Sequence, residues 1–275
     1  MRELDPILIH LEALFREVVR VVTTGDGEQR GETGLNPKGD RIRWFDLAAE
    51  QAACTYLKER FPRPVELLSE ESMPQRIGDG EPEFIMVLDP VDGSDNFARG
   101  IVPSGMAVAL IPAHLPVAVG TVQFALVGDL FTGGTWLAAR GHGAFCNGRK
   151  ISTHPVTQLE NAIISCELNH FEVEAPLASM LSRARGIRSF GCATRALSMV
   201  AAGALDAHLD LRGRLTPENF LAPSLILTEA GGVVTGTEGQ PLPEIQHLTE
   251  RYSILAAATP ELHAALVQPL RNTCT

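Results

Sequence analysis

A run of five apolar residues, Phe84 to Leu88 (FIMVL), stands directly before a group of acidic and turn-forming residues, Asp89 to Asp95 (DPVDGSD). An uninterrupted apolar run of this length is typical of a strand that is covered on both faces. Earlier in the chain, apolar residues recur every three or four positions from Leu4 to Val22, which predicts a helix, and a second helix is predicted from Phe45 to Phe61. The combination predicts a layered α/β (α+β) fold.

Shorter apolar runs and the turns beside them predict the remaining elements. Strands are predicted at Val65–Leu68, Met106–Ile111, Val117–Phe124, Gly134–Ala139, Asn161–Glu167, Leu205–Leu211, Val233–Thr235 and Ser253–Ala257. Helices are predicted at Thr194–Ala202, Asn219–Ala230 and Pro260–Val267. The polar stretch from Thr23 to Asp40 contains many glycines and predicts a mobile loop.

Composition excludes several classes of protein and several partners. The chain has 275 residues, of which 45% are hydrophobic and 20% charged, so it is neither disordered nor a collagen or a coiled coil. Its 23 basic and 33 acidic residues give a net charge of −10, so nucleic acid and anionic membranes are not expected partners. Five scattered cysteines, a charged N-terminus and no long apolar run predict a reduced, cytoplasmic protein without a signal peptide or a membrane span.

Carboxylates are concentrated where two predicted strands end. Asp89 follows the buried strand, the Asp92-Gly93 turn brings a second carboxylate toward it, and Glu70 follows the other strand. Two carboxylates about 4 Å apart repel each other by several kcal/mol at intermediate dielectric, and a hard cation such as Mg²⁺ relieves this. Solvated acidic turns or a pair of catalytic carboxylates of the glycosidase kind would explain the same residues. The clustering favours a metal site over the glycosidase pair.

The acidic segment LDPVDGSDNF (88–97) resembles the signature of the inositol monophosphatase family, a family of metal-dependent sugar and inositol phosphatases. Four further segments resemble other motifs of that family in the same order: LLSEES (67–72), GHGAFCNGRKI (141–151), RSFGCATRALSMVAAGALDAHLD (188–210) and LILTEAGGVVT (225–235). The resemblance covers the chain from about Pro37 to Ala257. It is nearest the archaeal-type enzymes that act on both fructose 1,6-bisphosphate and inositol monophosphate.

The resemblance implies a layered α-β-α-β-α fold, usually dimeric, with an N-terminal α+β subdomain (1–150) that carries a metal site and a C-terminal subdomain (151–275) that completes the substrate pocket. It implies two or three Mg²⁺ ions, with Mn²⁺ as a possible substitute, and a metal-activated water that attacks the phosphorus of a small phosphate ester. The metal ligands implied are Glu70, Asp89, the Val91 carbonyl, Asp92 and the residue at position 219.

The resemblance also implies roles for the residues around these ligands. Ser94 would orient the attacking water, with Asp46 and Glu71 supporting the site from behind. The backbone N–H groups of Gly93 and Ser94 would bind the substrate phosphate. The remaining substrate contacts implied are Gly191, Cys192, Ala193 and Thr194 to the alcohol, Asp210 to a hydroxyl, and Arg212 or Arg214 to a second phosphate. Independently of the resemblance, the loop from Thr23 to Asp40 is a candidate lid, and its Lys38 is either a solvated loop residue or a contact to the phosphate.

Two positions depart from the family pattern. Asn219 stands where the family usually has the aspartate that completes the second metal site, and Arg43 replaces a threonine near the second helix. Three alternatives follow: Asn219 binds Mg²⁺ weakly through its oxygen, Glu218 replaces it, or the chain is an impaired relative that binds a phosphorylated ligand without turnover. Arg43 would either bring a cation near the water or pair with the acidic cluster. Nucleotide 3′-phosphatases are a second active possibility, although they usually carry a charged pair where this chain has Asp95-Asn96.

Overall fold

The computed structural model describes residues 5–24, 32–35 and 41–271. Lys38 and Cys274 lie outside these ranges. The lid and the phosphate contact expected of Lys38 therefore stay predictions.

Part of the segment predicted as a mobile loop has regular structure. Thr23 and Thr24 end the first helix, and residues 32–35 pair with residues 41–43 as antiparallel strands. The loop prediction was wrong for these residues, because strands of three or four residues are too short to show an apolar alternation in the sequence.

Two helices and this hairpin form the N-terminal part of the molecule: α1 (Pro6–Thr24), β1 (Glu32–Leu35), β2 (Arg41–Arg43) and α2 (Trp44–Arg60). The predicted spacing of α1 is confirmed, because one face of the helix is buried and carries Ile7, Leu8, Leu11, Leu14, Phe15, Val18 and Val22. No helix among the described residues is both long enough and apolar enough to cross a membrane.

The first large sheet and its one internal helix follow in chain order: β3 (Val65–Ser69), β4 (Gln75–Ile77), β5 (Phe84–Asp92), α3 (Ser94–Arg99), β6 (Gly105–Pro112), β7 (Phe124–Asp129), β8 (Thr135–Ala139), β9 (Ala144–Cys146) and β10 (Arg149–Ile151). The eight strands lie in the order β10-β9-β8-β7-β6-β5-β3-β4. β3 and β5 are parallel, and β5 to β10 form an antiparallel meander.

The C-terminal part contributes the second sheet and four helices: β11 (Ile163–Cys166), α4 (Ala175–Arg183), β12 (Gly186–Arg188), α5 (Ala193–Ala201), β13 (Ala207–Leu215), α6 (Pro217–Glu229), β14 (Val233–Thr235), β15 (Tyr252–Ala257) and α7 (Pro260–Arg271). Its five strands lie in the order β12-β11-β13-β15-β14. Neither α4 nor β12 was predicted from the sequence, and the same is true of α3 and β4.

The elements stack in five layers, which confirms the predicted α-β-α-β-α fold. α1 and α2 cover the first sheet from outside, against residues that include Met86 and Leu88 of β5. α5 and α6 lie between the sheets and pack against Val87 of β5 on one side and Ile254 of β15 on the other. α4 and α7 cover the outer face of the second sheet. The run FIMVL is apolar throughout because β5 is covered on both faces, and each such side chain contributes about 1.5–3 kcal/mol by burial.

The two sheets divide the chain near the predicted boundary. The first sheet uses residues 65–151 and the second uses residues 163–257. α5 and α6 come from the second part and pack against the first sheet, so both parts share one interior layer. The division into residues 1–150 and 151–275 stays a prediction.

One predicted strand is displaced. Residues Val117–Phe124 were expected to form a strand, but a short 3-10 turn occupies Val119–Thr121, and β7 begins only at Phe124. The Thr121 hydroxyl donates to the Pro116 carbonyl at 2.6 Å and closes this turn. A local side-chain hydrogen bond therefore overrides the apolar pattern.

Candidate active site

The predicted acidic residues meet at one edge of the first sheet. β3 and β5 are parallel neighbours with Ser69 opposite Leu88, so the carboxyl ends of the two strands lie side by side. The Glu70 N–H donates to the Leu88 carbonyl at 3.3 Å and continues this pairing. A cavity of about 290 Å³ opens here, lined by Glu70, Asp89, Val91, Asp92, Gly93, Ser94, Arg212, Arg214, Thr216, Asn219 and Arg251.

Asp89 is fully buried at the end of β5, where the pairing with β6 becomes irregular. Its Oδ1 accepts a hydrogen bond from the Val91 N–H at 3.0 Å, and its Oδ2 accepts one from the amide nitrogen of Asn219 at 2.7 Å. Both oxygens of a buried carboxylate therefore have a donor, as burial requires. The irregularity turns the chain so that Asp89 and Asp92 line the same cavity.

Asp92 joins the cavity to the start of α5. Its Oδ2 accepts from the Thr194 backbone N–H at 2.8 Å, from the Thr194 hydroxyl at 2.7 Å and from the Cys192 thiol at 3.3 Å. Burial raises the pKa of Asp92, and the two Thr194 hydrogen bonds oppose that rise. Within the described residues, Asp92 Oδ1 makes no hydrogen bond, so one oxygen stays available to a cation.

Gly93 allows the turn between β5 and α3. Its φ of +78° lies in the left-handed region, and a Cβ there would stand 3.1 Å from the Gly191 carbonyl oxygen and 3.2 Å from the Cys192 Cβ. Gly191 and Cys192 therefore lie directly behind the turn, and neither lines the cavity itself. Ala193 and Asp210 do not line it either.

Glu167 holds Phe190 and Gly191, which lie behind the turn, and was not predicted from the sequence. Its carboxylate oxygens accept the Gly191 N–H at 3.1 Å, and one of them also accepts the Phe190 N–H at 3.3 Å. Burial raises the pKa of this carboxyl group. Glu167 appeared only as the last residue of a predicted strand, so nothing in its local sequence marked this role.

Ser94 is held between two oxygen acceptors. Its hydroxyl lies 3.1 Å from Asp46 Oδ1 and 2.9 Å from the Val91 carbonyl oxygen. Asp46 stands in the first turn of α2, where its Oδ2 accepts the Arg43 N–H at 2.8 Å. Burial raises the pKa of Asp46 to about 6, against the lowering effect of these hydrogen bonds. Asp46 thus contacts Ser94 from behind the cavity, where the resemblance places it.

Arg43 contacts the same turn through its side chain. Its Nη1 donates to the Ser94 carbonyl at 2.6 Å, and its Nη2 pairs with the exposed carboxylate of Asp95. Of the two roles considered for Arg43, the structure has an ion pair, but with Asp95 rather than with the carboxylates of the cavity.

Three arginines line the cavity. Arg212 is paired with the fully buried Asp210, through Nε to Oδ1 at 2.9 Å and Nη2 to Oδ2 at 2.6 Å. Asp210 therefore has a protein partner at both oxygens, and the expected contact with a substrate hydroxyl stays a prediction. Arg214 and Arg251 are exposed and form no ion pair within the part of the chain that the structure describes. Arg251 belongs to none of the motifs recognised in the sequence and was not predicted to be part of the site.

The two remaining predicted carboxylates lie outside the cavity. Glu218 is buried and accepts a hydrogen bond from the hydroxyl of Thr216, and it is not among the residues that line the cavity, so its replacement of Asn219 stays a prediction. Glu71 is partly buried, and its N–H donates weakly to the Ser69 hydroxyl at 3.4 Å. Its supporting role stays a prediction.

The oxygen donors fit a hard divalent cation. Glu70, Asp89, Val91 and Asp92 line one cavity, and carboxylate and carbonyl oxygens are the ligand types that Mg²⁺ prefers. Across residues 5–24, 32–35 and 41–271, no group of three or more His, Cys, Asp or Glu side chains is arranged to hold a metal ion. Mg²⁺ usually keeps several water ligands and needs only one or two protein carboxylates, so the residues of the cavity fit this ion.

The chain matches a protein family and several known proteins over most of its length. Residues 1–274 match the model of the inositol monophosphatase family. The chain is 33% identical over 265 residues to a fructose-1,6-bisphosphatase/inositol-1-monophosphatase of Methanothermobacter thermautotrophicus, covering 94% of this chain and 93% of that protein. It is 28% identical to an inositol-1-monophosphatase of Bacillus subtilis, with 86% and 85% covered.

Solved structures resemble the chain over almost its whole length. A crystal structure of an inositol monophosphatase–fructose 1,6-bisphosphatase has a TM-score of 0.80 at 26% identity and covers 97% of this chain and 99% of that chain. The extragenic suppressor protein suhB of Bartonella henselae has a TM-score of 0.81 at 24% identity, with the same coverage, and supports the fold alone.

Proposed function

Because the chain belongs to the inositol monophosphatase family of metal-dependent phosphatases, we propose that it removes phosphate from a small sugar or polyol phosphate with the help of Mg²⁺. Inositol monophosphate and fructose 1,6-bisphosphate are the two proposed substrates. The observation that carries the proposal is the cavity at the carboxyl ends of β3 and β5, which Glu70, Asp89 and Asp92 line together with Gly93. The alternative of an impaired relative has no support in the comparisons, whose named relatives are phosphatases.

The proposed cation site consists of Glu70, Asp89, Asp92 and the Val91 carbonyl. A divalent cation there would polarise the phosphate and lower the pKa of a bound water. The chain's own part is to hold the reacting groups in position, which in phosphoryl transfer accounts for most of the rate enhancement.

The turn after β5 supplies the phosphate contacts in this proposal. The N–H groups of Gly93 and Ser94 would bind phosphate oxygens, and the left-handed φ of Gly93 sets their direction. The Ser94 hydroxyl would orient the attacking water, because a hydroxyl donates and accepts at the same time. Asp46, when ionised, accepts a hydrogen bond from the Ser94 hydroxyl and thereby keeps a lone pair of that hydroxyl directed at the water.

The arginines favour a substrate with two anionic groups. Arg214 and Arg251, which have no ion-pair partner among the described residues, bring two positive charges to the wall of the acidic cavity, and a guanidinium group matches phosphate in a bidentate manner. We propose that they bind the second phosphate of a bisphosphorylated sugar. Arg212 is already paired with Asp210 of the same strand, so it would contribute less to binding a second phosphate.

The activity is tested by phosphate release from fructose 1,6-bisphosphate and inositol 1-phosphate across a Mg²⁺ titration, repeated with Mn²⁺ and with EDTA. We expect saturable release that EDTA abolishes. Asp92→Asn should reduce the rate by at least about a hundredfold, since it removes a charge beside the transferred group. Asp79→Asn, at an exposed turn, is the matched control. Release that persists in EDTA would contradict the proposed metal chemistry.

Location and assembly are further proposals. We propose a cytoplasmic protein, because Cys54, Cys146, Cys166 and Cys192 are all free thiols.

We propose a homodimer, since Ile101 and Val102 directly after α3 are exposed by 50% and 59% and offer apolar surface for a second copy. Light scattering on the purified chain measures the assembly, and a monomer at micromolar concentration would contradict the dimer.

A further inference from the structure

Asn219 has its carbonyl oxygen occupied inside its own helix. It is the third residue of α6, and its Oδ1 accepts the Thr216 N–H at 3.3 Å and lies 3.0 Å from the Thr216 hydroxyl. This arrangement is a capping box at the start of the helix. Turning the amide over would place its N–H₂ against the Thr216 N–H, two donors facing each other.

The amide nitrogen of Asn219 is consequently directed at Asp89. Nδ2 donates to Asp89 Oδ2 at 2.7 Å, and this aspartate is fully buried. An aspartate at position 219 with the same side-chain conformation would place a second carboxylate oxygen 2.7 Å from Asp89 Oδ2. Two carboxylate oxygens at that separation need a cation or a shared proton between them, whereas an amide N–H needs neither.

We propose that Asn219 takes the place of a divalent cation beside Asp89, so that the cavity binds one cation fewer than it would with a carboxylate at this position. The proposal rests on the proposed function, because it assumes that Glu70, Asp89 and Asp92 hold the catalytic cation. It replaces the expectation that Asn219 is itself a metal ligand. Asn219 stabilises Asp89 through a hydrogen bond to Oδ2, and Asp89 still holds the remaining cation together with Glu70, Asp92 and the Val91 carbonyl.

Counting bound Mn²⁺ tests the proposal without relying on activity. The measurement is the number of Mn²⁺ ions bound per chain, obtained from the electron paramagnetic resonance signal of free Mn²⁺ during a titration of the whole protein. Asn219→Asp should bind one Mn²⁺ more than the wild type. Asn219→Leu, which has neither the donor nor the oxygen, should bind the same number as the wild type. Asn161→Asp, an exposed change of the same chemical kind, is the control and should also bind that number.

Thermal unfolding gives a second readout. In EDTA, both Asn219→Asp and Asn219→Leu should unfold at a lower temperature than the wild type, because Asp89 Oδ2 loses the hydrogen bond from the Asn219 amide. Mn²⁺ at about 100 times its Kd should raise the Tm of Asn219→Asp by about 5 °C more than it raises that of the wild type or of Asn219→Leu.

Two results would overturn the proposal. One is an equal number of Mn²⁺ ions in the wild type and Asn219→Asp, and the other is the loss of an ion in Asn219→Leu, which would make the Asn219 oxygen a ligand. The proposed function fails separately, if the wild type binds no Mn²⁺ and releases no phosphate. The differences between the variants still decide the role of Asn219 in that case.

Discussion

The guanidinium of Arg195 donates to the carboxylate of Asp129 over 3.0 Å, and both side chains are less than a tenth exposed. The two groups are satisfied unequally. Asp129 Oδ1 also accepts the Phe131 and Thr132 N–H groups, whereas Arg195 lies over the Trp136 ring with 3.8 Å between its Cζ and the ring centre. Within the described residues, Arg195 Nε and Nη1 have no hydrogen-bond partner.

Because Asp129 has other hydrogen-bond donors and Arg195 has no other acceptor among the described residues, removing Asp129 should destabilise the protein more than removing Arg195. Asp129→Asn should lower the free energy of unfolding by about 3–5 kcal/mol, because it leaves the buried guanidinium without a charge partner. Arg195→Met should cost at least about 1 kcal/mol less, since two backbone donors still hold Asp129. Urea unfolding of the single and double variants measures both values. The double variant should cost less than the sum of the single ones, and simple additivity would contradict the coupling.

Gly93 is expected to be required for both its backbone and its neighbours. Gly93→Ala should destabilise the protein by about 1–3 kcal/mol and reduce phosphatase activity by about a hundredfold, because the turn that would bind phosphate has to move away from Gly191. Gly100→Ala is the matched control, since Gly100 has a φ of +69° and open space around its Cβ. Thermal unfolding and the rate of phosphate release should separate the two variants. Equal rates in both would mean that crowding against Gly191 has no consequence.

Much of the site could be predicted because it depends on local sequence. The apolar run of β5 predicts a buried strand, and Asp89, which follows this run, is therefore expected at the edge of the sheet where β5 ends. Asp92-Gly93 is a turn in any fold, so the approach of Asp92 to Asp89 follows from neighbouring residues. The family resemblance then supplied Glu70, Ser94 and the layered fold.

The missed features depend on contacts between distant segments. The direction of the Asn219 amide follows from the cap of α6 and the depth of Asp89, and neither is visible in the residue types. Arg251 reaches the cavity only because β15 pairs with β13. Glu167, directly after β11, accepts the N–H of Gly191, which is 24 residues further along the chain. In each case the partner is set by the packing of the two sheets.

Arg214 and Arg251 should determine whether the protein prefers fructose 1,6-bisphosphate or inositol 1-phosphate. Arg251→Ala and Arg214→Ala should each raise the KM for fructose 1,6-bisphosphate about tenfold, the equivalent of one charge-assisted phosphate contact. The KM for inositol 1-phosphate should change by less than about threefold, since that substrate has a single phosphate. Arg149→Ala, an exposed arginine of β10, should change neither value. Equal effects on both substrates would place the arginines at the reacting phosphate instead.

Asp46 should make the stability of the protein depend on pH in a defined direction. Burial raises the pKa of this carboxyl group to about 6, whereas an unfolded chain has a value of about 4. Its contribution to stability is therefore fully present below about pH 4 and is lost as the pH rises through about 6. The expected loss is on the order of 3 kcal/mol at most, from the size of that shift.

Asp46→Asn isolates this contribution, because the amide keeps an acceptor for the Arg43 N–H but does not ionise. Urea unfolding in EDTA at pH values from 4.5 to 7.5 should show the wild type losing stability relative to Asp46→Asn up to about pH 7, with a constant difference above that. Asp79→Asn should show no such trend, since Asp79 is exposed. If the difference between the wild type and Asp46→Asn does not change with pH, Asp46 is ionised throughout, and Ser94 then has a charged acceptor at every pH tested.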